Sequence, residues 1–227
     1  MIGVFDSGAG GLTAIAELRR LMPSVDICFL ADRKNAPYGT KSKDELIRLV
    51  CADISKLRRA GAEKILMACC TASTVYDELP CKMRAIAHPI ICPTAKEAAR
   101  ITNNGKIGVI ATEATVSSSA FGKALIKYPS VKEVHELPTQ RLVSWVEGGT
   151  VDGRVTSRER DELYRLIRPM REYGIDTLIL GCTHFPHLER EICGCLPGVR
   201  LVSASREGAR ELVKSSKNTG KGKTIFL

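Results

Sequence analysis

Two cysteines stand out by what surrounds them. Cys69 follows the apolar run of KILMACCTAST (64–74) and Cys182 follows that of GIDTLILGCTH (174–184), and each is succeeded within two positions by a threonine. A thiolate is both nucleophile and base, with an ordinary pKa of about 8.5 that polar neighbours move readily. A disulfide couple would show C-x-x-C, which is absent here. Zinc would need more ligands at close spacing, and Cys193 and Cys195 have no matching pair of cysteines or histidines after them. An acyl-transfer pair with His184 is open, although nothing local marks such a site. A further chemistry uses both thiols as equals: one group takes a proton from one face of a stereocentre and the other returns one to the opposite face. Asp6 and His184 sit at strand ends where they can orient or tune a thiol. Ser7, Thr71 and Thr183 add hydroxyls and backbone N–H groups suited to the carboxylates of a small zwitterionic acid.

The elements that hold these residues read as alternating strands and helices. IGVF (2–5), DICFL (26–30), KILMA (64–68) and PIIC (89–92) are β-rich runs separated by helical patterns, among them LTAIAELRRLM and SKDELIRLVCADISKLRRAG. The second half repeats the scheme. KIGVIAT (106–112) resembles the opening IGVFDSG, VKEVHEL (131–137) takes the place of DICFLAD, GIDTLILGCTH parallels GAEKILMACCT, and VRLVSAS (199–205) parallels PIICPT (89–94). This is a duplicated α/β unit: two pseudo-symmetric α/β domains with mostly parallel sheets and helices on both faces. We expect residues 1–93 with a returning 208–227 to form one domain, and 94–207 the other. Ligands of parallel sheets gather beyond the carboxyl ends of the strands, which places both cysteines at the cleft between the domains.

Composition narrows the partners. The chain of 227 residues is 44% hydrophobic and 26% charged, enough for a packed core, and no apolar run approaches the roughly 20 residues of a membrane helix. The N-terminus carries no signal-peptide pattern, and nine scattered cysteines suit a reducing cytoplasm. The net charge of +9 is spread, except in KSSKNTGKGKT, and aromatics are only 5%, so a nucleic-acid partner is not expected. Nucleotide binding is not expected either, because Thr13 stands where G-x-G-x-x-G needs its last glycine. Cys28, Cys51, Cys81, Cys92, Cys193 and Cys195 read as small apolar residues, and the charges of Lys41–Arg59 and Arg158–Arg171 as solvated helix faces. His88, His135 and His187 receive no chemistry.

DSGAGG (6–11), PYG (37–39), ACCTAS (68–73), IGVIATEATVSSS (107–119), LVSWVEGG (142–149) and GCTHFP (181–186) together resemble the cofactor-independent aspartate/glutamate racemase superfamily, and within it the glutamate racemases. The resemblance implies racemisation of glutamate for peptidoglycan precursors, with no cofactor and no metal, in a cytoplasmic enzyme that is commonly a homodimer. It implies Cys69 and Cys182 as the proton-transferring pair, supported by Asp6 and His184. It further implies a substrate site lined by Asp6, Ser7, Tyr38, Gly39, Cys70, Thr71, Thr183 and His184. The histidine after Cys182-Thr183 points to the glutamate type. One position departs from the pattern: A-C-N-T-A-S has asparagine where this chain has Cys70. That substitution implies weakened binding, another acid as substrate, or a binding protein that has lost activity.

Overall fold

The computed structural model describes residues 1–148 and 155–227. The first half runs β1 (Ile2–Asp6), α1 (Leu12–Leu21), β2 (Ile27–Ala31), α2 (Lys43–Arg59), β3 (Lys64–Met67), α3 (Cys70–Ser73), α4 (Cys81–Arg84), β4 (Ala87–Pro89) and α5 (Ile91–Ile101). The second half runs β5 (Lys106–Ala111), α6 (Glu113–Ser117), α7 (Ala120–Leu125), β6 (Glu133–Pro138), α8 (Gln140–Glu147), α9 (Ser157–Glu172), β7 (Thr177–Gly181), α10 (Glu189–Cys195), β8 (Arg200–Ser203), α11 (Ala204–Lys214) and β9 (Thr224–Phe226).

Both sheets are parallel. Strands β4-β3-β1-β2 in one correspond in order to β8-β7-β5-β6 in the other, and β9 adds to the first sheet beside β2. Arg19 on α1 anchors that returning strand through Nη2, which donates to Lys223 O (2.6 Å) and Thr224 Oγ1 (2.7 Å). The 207/208 join expected between the domains falls inside α11.

Sheets covered on both faces need strands that are apolar on both sides. In β1, Val4 joins a core shared by both halves while Phe5 joins the outer core under α2. The shared core contains Ile2, Val4 and Leu66 from the first sheet and Ile107, Val109, Ile179 and Val202 from the second. Between them lie the apolar faces of α1, α5, α7 and α11. The two halves therefore meet over one common layer of helices.

One strand differs from its expected place. PIIC (89–92) reads as a strand, yet β4 ends at Pro89 and α5 begins at Ile91. Ile90 already has helical dihedrals, and Pro93 sits in the first helical turn, where its missing N–H leaves no bond unmade. Ile90 and Ile91 are buried as expected, but they serve a helix entrance rather than a ladder.

Helix α11 reaches this entrance through Gly208. A Cβ built at Gly208 collides with the Ile90 side chain, whose own Cβ lies 2.8 Å away. Ile90 is fully buried and β-branched, so it has little room to yield. Gly208→Ala should lower the free energy of unfolding by about 1–3 kcal/mol in urea titrations, the usual cost of overpacking a tight core.

Candidate active site

The registers align the carboxyl ends of the strands. Asp6 pairs with Ala31 and Phe5 with Met67, so β1 ends at Asp6 and β3 ends two residues before Cys69. In the second sheet Ala111 pairs with Gly181, which sets Thr112 and Cys182 side by side just past their strands. One cavity receives both ends. Ser7, Tyr38, Gly39, Cys69, Cys70 and Thr71 line it from the first half, and Cys182, Thr183 and His184 from the second. Its volume is about 20 Å³, room for roughly one water.

The two adjacent cysteines have different settings. Cys69 is the N-cap of α3, and its Sγ accepts from Ala72 N (3.5 Å) and stands 3.7 Å from Ser7 Oγ. Cys70 is the first residue of that helix and packs in the shared core while also touching the cavity. Burial raises both thiols. Cys69 reaches about 11, with the Asp6 charge adding to the burial and the Ala72 and Ser7 contacts opposing it. Cys70 is held well above the ordinary thiol range by burial and then by Cys182 and Cys69, so it remains a neutral thiol. Cys182 is raised as well: burial dominates, the His184 backbone N–H opposes it, and Cys69, Asp6 and Glu147 add to it.

Each of the outer two thiols has its own polar companion. Asp6 is fully buried behind the cavity lining; its Oδ1 accepts from Gly8 N (2.8 Å) and its Oδ2 from Thr183 Oγ1 (3.0 Å). Burial raises its pKa, opposed first by His184 and then by these donors. On the other side His184 Nδ1 lies 3.5 Å from Cys182 Sγ, and its Nε2 lies 3.3 Å from Glu147 Oε1 on α8. The Glu147 contact is close but badly aligned, which leaves Nε2 without a hydrogen-bond partner among the described residues. The thiol–imidazole–carboxylate row of the second half faces the hydroxyl- and carboxylate-flanked thiol of the first.

Several expected residues have their polar groups already engaged. Thr183 gives its hydroxyl to Asp6. Thr71 Oγ1 sits 2.9 Å from Thr112 Oγ1 and 3.1 Å from Thr115 Oγ1, a knot of three hydroxyls that ties α3 to the start of α6. Tyr38 is buried, with its hydroxyl between Asp32 and Asp53. Its neighbour Gly39 crosses to the second half, where an added Cβ would stand 2.5 Å from Gln140 Oε1 and 3.0 Å from Thr112 Cβ.

Sequence reasoning assigned no role to Pro37, Thr112, Gln140, Val143 or Glu147, which also line the cavity. Glu147 lies within LVSWVEGG, whose last residue, Gly149, is outside the described residues. Two further expectations fail. Cys81, Cys92 and Cys193 are exposed, because they fall on the outward sides of short helices or helix starts. Asp53, counted among the solvated charges of Lys41–Arg59, is buried on the apolar stripe of α2 with Leu46, Val50, Ile54 and Leu57. No cluster of three or more His, Cys, Asp or Glu is arranged to hold a metal, and no helix is long and apolar enough to cross a membrane, among the described residues.

Comparison with known proteins places the whole chain in a family. The sequence model of the Asp/Glu/Hydantoin racemase family matches residues 14–212. A glutamate racemase from Aquifex aeolicus is 36% identical over 222 residues, 97% of this chain and 85% of that protein. One from Desulforudis audaxviator is 39% identical over 211 residues, 92% of this chain and 76% of its own. The crystal structure of a Francisella tularensis glutamate racemase in complex with D-glutamate superposes with a TM-score of 0.86 at 29% identity, covering 99% of this chain and 86% of that one.

The proton affinity of Cys69 has a direct readout. Because burial lifts this thiol to about 11, its alkylation by iodoacetamide should keep rising about tenfold per pH unit from pH 8 to 10. Peptide mass spectrometry follows the rate; a plateau at about pH 8.5, the ordinary thiol value, contradicts the burial argument.

Proposed function

The chain belongs to the Asp/Glu/Hydantoin racemase family, and from that premise we propose that it interconverts L- and D-glutamate by passing the α-proton between Cys69 and Cys182. The observation that carries this reading is the single cavity at the meeting carboxyl ends of the two sheets, with one of these thiols from each half in its lining. One thiolate takes the α-hydrogen: a C–H bond breaks and an S–H bond forms. The thiol on the opposite face gives up its proton as the new C–H bond forms, and the roles exchange with the direction of reaction.

Both thiols are proton-loaded when buried without a charge partner, as their raised pKa values indicate. An amino-acid substrate supplies the missing partner, since a nearby ammonium favours the thiolate. Asp6 on one side and His184 on the other then orient the thiols and receive or return the displaced proton. Thr71, Ser7 and the backbone around Gly39 and Thr183 receive carboxylates. Gln140 Oε1, buried and without a hydrogen-bond partner among the described residues, is an acceptor for the ammonium. A cavity of about 20 Å³ does not hold glutamate, so α8 has to move away from the Pro37–Gly39 wall on binding. The family resemblance supports the finer reading that the product supplies peptidoglycan precursors in the cytoplasm and that the working form is a homodimer.

Cys70 favours a second reading, in which the cavity serves another amino acid. A thiol is a weak hydrogen-bonding group where the family pattern has an amide with two donors and an acceptor.

Incubation of L-glutamate with the protein in D₂O decides the main point: optical inversion with α-deuterium incorporation is expected, and neither appearing removes the assignment. Cys69→Ser and Cys182→Ser should each lower racemisation by about 10²- to 10⁴-fold, the usual weight of a positioned acid or base. Cys70→Asn should lower KM for glutamate by about 3- to 100-fold, the value of a restored hydrogen bond. A fall in turnover together with exchange at a different amino acid supports the second reading.

A further inference from the structure

The buried charge of α2 has no part in the proton transfer, yet it stands directly behind the cavity wall. Tyr38 Oη lies 2.7 Å from Asp32 Oδ2 and 2.8 Å from Asp53 Oδ2. All three side chains are buried, and they come from three elements: the end of β2, the loop carrying Pro37–Gly39, and the middle of α2. A phenol has one proton, so it donates to one carboxyl only. It does not lose that proton, because burial, followed by the two carboxylates, drives its pKa far upward. The second short contact then needs a proton on one of the carboxyls, which donates to the phenol oxygen.

The surroundings say which carboxyl holds it. Asn35 Nδ2 reaches both oxygens of Asp32, at 3.0 and 2.9 Å, which suits a carboxylate. Among the described residues, Asp53 has besides Tyr38 only Lys56 Nζ, at 3.5 Å from its other oxygen. The charged groups that act on Asp53 are thus Asp32 and Lys56, with the neutral phenol between the carboxyls. Burial, opposed by Tyr38 and Lys56 and reinforced by Asp32, lifts Asp53 to about 6.

We propose that Asp53 is a positioning residue: with Asp32 it holds the Tyr38 hydroxyl through a shared proton and so fixes the Pro37–Gly39 wall of the cavity. The coupling is short. Tyr38 adjoins Gly39, which makes the close approach to Thr112 and Gln140 across the cavity. When Asp53 ionises, one proton remains among three oxygens, two carboxylates face each other across the phenol, and the wall loosens. Asparagine at this position donates to Tyr38 as the protonated acid does but does not ionise.

The kinetic test rests on the glutamate reading. Wild type, Asp53→Asn and Asp53→Ala are compared between pH 5 and 8. The ratio of wild-type to Asp53→Asn KM should rise about 3- to 10-fold as pH passes 6, the worth of one hydrogen bond, while the kcat ratio stays level. Asp53→Ala should show the raised KM throughout, and asparagine should restore it. The stability sign follows from linkage: a carboxyl raised from 3.8 to about 6 makes the fold lose stability as pH rises across that interval, so Asp53→Asn should gain in Tm relative to wild type over the same range.

A second arm needs no turnover. Cys69 alkylation in wild type, divided by that in Asp53→Asn at the same pH, should also rise about 3- to 10-fold across pH 6. A flat KM ratio, or an Asp53→Asn variant that matches Asp53→Ala, overturns the proposal. If wild type does not act on glutamate, the functional reading falls alone; a flat alkylation ratio then overturns this one, and a rising ratio sustains it.

Discussion

The layer formed by α1, α5, α7 and α11 is packed on both sheets at once, and the position of every reactive group in this chain depends on that double packing. Burial of Val4 and Leu66 on one side and Val109 and Ile179 on the other holds the sheets at a fixed separation. Their strand orders correspond, so the carboxyl ends that meet are equivalent: β1 and β3 face β5 and β7. Thr13 shows how near this packing comes to the chemistry. From the first turn of α1 its hydroxyl lies 2.7 Å from Gly10 O and 2.8 Å from Ser205 Oγ on α11, which ties the glycine-rich turn after Asp6 to the opposite half. Thr183 then closes the connection by its bond to Asp6. The hydrophobic layer sets the distance, and a few hydroxyls set the register.

The correspondence ends at the side chains around the thiols. Cys69 caps a helix and has a serine and a buried carboxylate for company, whereas Cys182 has an imidazole backed by Glu147. A reaction that inverts a stereocentre needs opposed groups, but it does not need identical ones, because its two faces are presented in different surroundings. The carboxylate beside Cys69 adds to the burial that raises that thiol, and the backbone N–H of His184 offsets part of the burial that raises Cys182.

Much of this was legible in the sequence, for a definite reason. Strand ends in a parallel sheet are local features, marked by an apolar run and a following small residue, so Cys69 and Cys182 could be placed from KILMACC and LILGC alone. Duplication made the pairing visible, since each motif had a counterpart in the other half. Lateral contacts leave no such mark. Thr112 aligns with Ser7 in the repeated motif, yet its bond to Thr71 depends on how the halves dock. Glu147 reaches His184 from a helix that the linear pattern does not connect to it. Asp53 did carry a signal, an acid in phase with Leu46, Val50 and Leu57, which a reading of α2 as one charged face passed over. Ile90 and Ile91 misled in the other direction, because two buried β-branched residues look alike at a strand end and at a helix entrance.

The same accounting of protons extends from the thiols to the wall behind them. Burial is the main reason that the site prefers neutral groups: Cys69, Cys70 and Cys182 keep their protons, and Asp53 keeps its own below about pH 6. Cys70 is not equivalent to Cys69 in such a site, since it packs in the shared core as well as on the cavity and lacks the Ala72 N–H and Ser7 contacts that ease ionisation of its neighbour. A ligand able to change this state has to bring positive charge to the thiols and hydrogen-bonding groups to the cavity lining. An α-amino acid does both with one carbon, and under the proposed function that carbon is the one whose hydrogen the thiols exchange.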